Sequence, residues 1–352
     1  MQKESFDIEW VNLNKAFCML LIFLLHAQAY CDVKIWGVTS YYSKVHVDAF
    51  FFISGYLLFR KQLSPSFVSL DRHSWWNVPG GGKTLTSNVW FRIVLPTVLF
   101  AIINFFPKMV LRGLSFNGVD FVSECFLGGT LWFTWALAIA EFVIIIGLIF
   151  RRCTIGEFFL IGIACVIIET VINSNNLVFL NNKDLPWQYR EGLIAVLFLV
   201  MGGFFMLKEK KFDSFFNSLI GRVLLVLFII PYIAILYYQK ENDSFRNLFN
   251  EWHLYYFLDL GAILVLIYFF KWLKGCDLSN YIGRHSIGFY FFSGAFPNVI
   301  AVAFHKAIPN FNSPFLPILV GLLAIAITYW IVKALNRWIP FVFDMRLLWK
   351  KQ

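Results

Sequence analysis

Ten apolar runs, each near the length that carries an α-helix across a bilayer, follow one another along 352 residues. A hydrocarbon core takes about 20 apolar residues per helix. By that measure the runs cover roughly 11–30, 45–61, 89–107, 131–150, 155–172, 190–207, 219–238, 253–272, 285–305 and 315–335. The least regular are the fifth, interrupted by Glu169, and the eighth, which contains Asp259. In lipid every backbone polar group must be satisfied within the chain, which leaves helices and closed barrels. Runs this long select helices. Composition agrees: 59% of residues are hydrophobic and 14% are charged, against about 25% charged in an average soluble protein. A water-soluble surface cannot be built from so few polar groups, and disorder requires the opposite balance. The expected fold is all-α: a polytopic membrane helix bundle of about ten transmembrane helices. No internal repeat divides it, so residues 1–352 read as a single integral-membrane domain.

The formal net charge of +9 raises nucleic acid as a partner. The placement of the basic residues argues against it. Of the 30 Lys and Arg, 21 fall in the termini and the even-numbered loops and nine in the odd-numbered loops. Cytoplasmic loops carry the excess of Lys and Arg, so both termini are expected in the cytoplasm. The bilayer is the partner this charge serves, and no nucleic acid is expected. The opening MQKESFDIEW carries three acids and one Lys before the first run. It lacks the basic start and cleavage site of a secretory signal, so the first run reads as retained. The six cysteines, Cys18, Cys31, Cys125, Cys153, Cys165 and Cys276, show no CxxC and no metal-ligand spacing, and no metal is expected.

Ionisable residues inside spans are costly, which makes them functional candidates. Lys15 and His26 share the first span, eleven residues apart. At about 100° and 1.5 Å per residue they lie on one helix face, roughly 16 Å apart along the axis. Lys15 falls near the cytoplasmic end, where it could equally snorkel to headgroups. His26 falls in the outer half, where it could also make a plain interhelical hydrogen bond. In the second span, Ser54-Gly55 is a small pair that lets a backbone or a narrow ligand approach. Arg92 opens the third span with Pro96 one turn later. It suits a phosphate or a positive-inside anchor. The preceding Pro79-Gly-Gly-Gly-Lys83 lacks P-loop spacing and reads as a flexible linker. Glu141, Glu169 and Asp259 are carboxylates that could orient an imidazole, Glu141 foremost. His285 and His305 sit at span ends and read as interfacial.

Taken together these residues resemble the bacterial integral-membrane acyltransferase-3 family. A basic residue, ten intervening residues and a His in the first helix are matched by Lys15 and His26. An FF-x-x-SG motif is matched by Phe51-Phe52-Ile53-Ser54-Gly55-Tyr56. Arg92-Ile93 with Pro96, Leu131-Trp132-Phe133, and Ser286 with Tyr290 match further elements in order. The chain departs from the family pattern at Lys15, where Arg is usual; at Asn12, where Asp is common; and at Ser293, where a His is common. The resemblance implies an acyltransferase of the bacterial cytoplasmic (inner) membrane. It would move an acetyl or other short acyl group from acetyl-CoA or another acyl-CoA to a hydroxyl of a sugar or glycan, an O-acetylation that modifies polysaccharide. Under it His26 is the general base with Glu141 as supporting carboxylate. Lys15 and Arg92 hold the CoA phosphates, and the donor arm passes Ser54-Gly55. A second copy of the chain is a candidate partner. Two other readings stay open: a transporter or flippase of a glycan or lipid intermediate, for which no broken helix pair is evident in the sequence, and a catalytically inactive relative acting in binding or assembly.

Overall fold

The structure is a computed structural model that describes residues 8–33, 45–111, 113, 115–150, 154–174, 186–241, 255–308 and 313–348. Cys153 lies outside the described residues. Every regular element among them is helical. The principal helices are α1 (Glu9–Cys31), α2 (Val45–Gln62), α3 (Pro65–Val68), α4 (Arg72–Asn77), α5 (Gly82–Asn88), α6 (Leu95–Leu111), α7 (Gly118–Phe126) and α8 (Trp132–Phe150). They continue as α9 (Ile155–Ser174), α10 (Tyr189–Phe216), α11 (Leu219–Glu241), α12 (Tyr255–Trp272), α13 (Asp277–Arg284), α14 (Ser286–Phe292), α15 (Ala295–Ala307) and α16 (Leu316–Trp338). Among the described residues, helix covers most of each of the ten predicted runs. Seven stretches among the described residues are long and apolar enough to cross a membrane. The other three runs are helical too: α2 carries Asp48, Arg60 and Lys61, α12 carries Asp259 and Lys271, and the apolar part of α11, Leu219–Ile230, is shorter. The fold is all-α and polytopic.

Two compact units divide the chain: residues 1–50 with 210–334, and residues 51–209 with 335–352. The first unit is organised on α1. A Cβ on Gly283 would overlap the Asn12 backbone, so α1 and α13 meet there with no side chain between them. Small residues permit such an approach where lipid supplies no hydrophobic drive between helices. At the other end of α1, Ala27 and Cys31 pack with Ala301 of α15 and with Leu316 and Val320 of α16. The Glu9 carboxylate accepts from the Gly275 backbone N–H at 2.7 Å. Lys271 of α12 donates to Asp213 at 2.7 Å, as does the Tyr268 hydroxyl at 3.0 Å.

In the second unit α2 and α10 cross in backbone contact. A Cβ on Gly55 would overlap Leu199, and one on Gly202 would overlap Phe52. The segment between α4 and α5, expected as a flexible linker, is an ordered turn. Lys61 donates to the Pro79 carbonyl at 3.1 Å, Gln62 to that of Gly80, and the Trp75 indole to Gln62 at 2.9 Å. Gly80 takes φ +83, which a side chain would resist. Sequence reading missed these long-range bonds because Gly-Gly-Gly is locally permissive. Helix α9 begins with a reciprocal cap, Thr154 bonding Glu157 through both backbone and side chain. It then presents Leu160, Ile163, Ile167, Ile168 and Val171 outward, a face suited to lipid. The Trp187 backbone N–H donates to the Leu127 carbonyl at 2.7 Å, so the turn before α8 and the turn before α10 lie together.

Candidate functional site

Each unit contains one polar station made of residues singled out from the sequence. In the first unit, α1 is continuous from Glu9 to Cys31, so Lys15 and His26 ride one helix as the spacing predicts. The His26 ring stacks with Tyr30, centroids 6.3 Å apart. Its Cε1 stands 3.9 Å from where a Cβ on Gly294 would be. Gly294 occupies the gap between α14 and α15, so the ninth predicted run is interrupted beside the imidazole. Ser293 turns its hydroxyl back to the Tyr290 carbonyl at 2.8 Å. The run still counts as one span, Ser286–Ala307, because Ser293 and Gly294 keep right-handed helical dihedrals. The signal for the interruption was present in Ser293-Gly294 followed by Pro297, which cannot donate a helical hydrogen bond.

Lys15, one turn beyond the Asn12–Gly283 contact, has His285 as its neighbour. Burial holds the His285 imidazole below its ordinary pKa, and the charges of Arg284 and Lys15 push the same way. The Tyr281 ring packs against His285 at 4.4 Å. Lys15, Arg284 and His285 therefore form a basic group on the α1–α13 contact. His285, read from sequence as interfacial, belongs to it. Its partner Arg284 was counted only as a topological charge.

The second station is in the other unit. Between α5 and α6 the chain makes a π-helical turn, Val89–Val94, that contains Arg92. Pro96 lacks the N–H that would bond the Arg92 carbonyl four residues earlier. The Leu95 N–H reaches back instead to Trp90, the wider π spacing. The Arg92 side chain is 53% exposed, and its Nε lies 3.7 Å from Asp344 Oδ2. Glu141 of α8 is partly buried and is the other carboxylate whose charge reaches Arg92. Arg346 donates to Asp344 through Nε at 2.7 Å and Nη2 at 2.5 Å, and through Nη1 to Asn88. Burial alone would raise the Asp344 carboxyl, but the hydrogen bonds and charge of Arg346, with that of Arg92, hold it below the ordinary range.

The structure brings Arg92 and Glu141 together in this unit. Lys15 and His26 belong to the other. The motif residues of α2 and α8 also meet: the Phe51 and Phe133 rings lie 4.9 Å apart, and Leu131 takes a left-handed φ of 57 that sets the start of α8. Ser54 is partly buried, while the space beside Gly55 is filled by Leu199. The Tyr56 hydroxyl donates to Glu209 at 2.7 Å. Glu169 is taken up by Arg190, which donates through Nε at 3.2 Å and Nη2 at 2.8 Å. Among the described residues no three His, Cys, Asp or Glu side chains are grouped to hold a metal ion. Asp344 and Arg346 were missed in the sequence because nothing in a short polar tail marks what it folds against.

Comparison with known proteins agrees with the motif pattern. A family model described as an acyltransferase domain, acyltransferase type 3, matches residues 8–335. No curated protein and no solved structure matches the chain.

Proposed function

Because the chain belongs to the acyltransferase-3 family, and is therefore a multi-pass membrane acyltransferase, we propose that it transfers an acetyl or similar short acyl group from acyl-CoA to a hydroxyl of a sugar or glycan. The observation that carries this reading is the pairing of Lys15 and His26 on one unbroken helix, with the imidazole beside the Ser293-Gly294 interruption. Gly294 lacks a side chain there, which leaves the face toward the imidazole open to a close approach.

In this proposal His26 is the general base. Imidazole suits that role because its ordinary pKa lies near working pH. It takes the proton of the acceptor hydroxyl as the oxygen attacks the thioester carbonyl. The C–S bond then breaks, and the departing CoA sulfur receives the proton from the imidazolium. Lys15 and Arg92 bind phosphates of the donor. Glu141, whose charge reaches Arg92, sets the charge balance there. Ser54 borders the donor path, and Gly55 fixes its position through the α2–α10 crossing. The match of one family model to residues 8–335, across both compact units, supports one catalytic domain.

We place both termini on the cytoplasmic side, in a bacterial inner membrane, where acyl-CoA is made. The division of basic residues supports this. So do contacts between segments that ten alternating crossings put on one side: Glu9 with Gly275, Arg92 with Asp344, and Leu127 with Trp187. A homodimer remains open to direct measurement of mass in detergent. The transporter reading gains one observation, the interrupted ninth run, since broken helices mark many transport sites. The deciding test is acyl transfer by purified protein in nanodiscs, from labelled acetyl-CoA to a glycan fraction, with mass spectrometry of cell glycans with and without the gene. Transfer, and a mass difference of one acyl group, are expected. Substrate uptake into vesicles with no transfer would replace the proposal with transport.

A further inference from the structure

The segment after α16 lies beyond the family match, which ends at residue 335, yet it folds onto one of the site residues. A short 3₁₀ turn, Pro340–Val342, brings Phe343 flat against Phe100 of α6, centroids 5.5 Å apart and planes 7° from parallel. That stack sets down Asp344 beside Arg92 and Arg346 beside Asn88.

Asp344 thus stands beside two guanidinium groups, and the Glu141 carboxylate adds its charge at Arg92. Asp344 takes Nε and Nη2 of Arg346 but stands 3.7 Å from Arg92 Nε, beyond hydrogen-bond length. Among the described residues Arg92 has no hydrogen-bonded partner for its Nη groups, and its side chain is half exposed. Arg346 keeps one N–H on each Nη for a further acceptor, since a guanidinium has five and three are used. Two neighbouring planar forks with unused N–H groups fit two linked tetrahedral anions, because each fork meets two oxygens of a phosphate.

We propose that the Asp344-x-Arg346 tail completes a two-arginine site for a diphosphate. Arg92 and Arg346 are its ligands, and Asp344 is the positioning residue, hydrogen-bonded to Arg346 and charge-paired with Arg92. Resting on the acyl-CoA reading above, the diphosphate is that of CoA. The π-turn re-aims Arg92 out of the regular helix, and the tail supplies the second cation. The site is therefore shared between the start of the third span and a tail that the family match does not reach.

The test uses the full chain in detergent and phenylglyoxal, which modifies accessible arginines, read residue by residue by mass spectrometry. Pyrophosphate, and separately CoA, should slow modification of Arg92 and Arg346 together, by about tenfold, with Arg222 as the unaffected reference. Arg346→Gln should abolish protection of Arg92. Arg346→Lys, which keeps charge but loses the fork, should retain part of it, and Asp344→Asn should uncouple the two arginines so that they are protected to different extents. Arg92 protected in Arg346→Gln as in the natural chain, or no protection by pyrophosphate, would overturn the site. Protection by pyrophosphate with none by CoA would keep the two-arginine site and remove CoA as its ligand.

Discussion

The two stations differ in what surrounds their key side chain. His26 has a tyrosine ring, a glycine gap and apolar packing from Ala27 onward, with no charged partner among the described residues. Arg92 has two carboxylates and a second arginine around it. The first environment suits a group that must change protonation during a reaction, since few fixed charges bias it. The second suits a group that keeps its charge and meets an anion. Under the proposed function His26 carries the chemistry and Arg92 the binding, and kinetics can separate the two.

The largest effect is expected at His26. His26→Ala should lower kcat by about 10²- to 10⁴-fold, while CoA protection of Arg92 stays as in the natural chain. Activity within a few-fold at equal expression would end the division between the stations. Next comes Arg92→Gln, which removes a charged ligand worth about 1.5–3 kcal/mol. The donor KM should rise by roughly 10- to 100-fold with a smaller change in kcat and none in the acceptor KM. A loss confined to kcat would move Arg92 to the chemical side. Lys15→Met should act in the same sense but more weakly, about threefold to tenfold in donor KM, because Lys15 is only partly buried. Lys15→Arg should retain donor binding.

Two further expectations concern stability rather than turnover. Gly55→Ala places a methyl group against Leu199 and should destabilise the α2–α10 crossing by about 1–3 kcal/mol, seen as a lower Tm in detergent. Ser54→Ala should not. Equal Tm for the two variants would mean the crossing yields easily. The smallest effect is the pH response of His285. Its folded pKa lies below its ordinary value, so the unfolded chain binds the proton more readily. The neutral ring's contribution is then fully present above about pH 6.5 and lost as pH falls toward the folded pKa. Tm should fall between pH 7 and pH 5, and less so in His285→Asn. A parallel fall in both would assign the acid sensitivity elsewhere.

Much of this was legible along the chain. Lys15 and His26 share a helix because eleven residues return to nearly the same face, a property of local geometry alone. Pro96 announced the irregularity at Arg92 by the donor it lacks. The Gly-Gly-Gly segment misled, because a permissive backbone says nothing about the distant Lys61, Gln62 and Trp75 that bond around it. Ser54-Gly55 taken alone favoured helix packing over passage, and the Leu199 backbone occupies the glycine side.

The sequence by itself determined that the chain is helical, membrane-spanning and equipped with the ordered motifs of an acyltransferase. Those properties follow from run length, backbone hydrogen bonding in lipid and spacing, all of which are local. Only the tertiary structure decided which charges meet: Arg190 with Glu169, His285 with Lys15 and Arg284, and Arg92 with the Asp344-x-Arg346 tail. Such pairings join residues up to 270 positions apart, and periodicity along one helix carries no information about which distant segment will be folded against it.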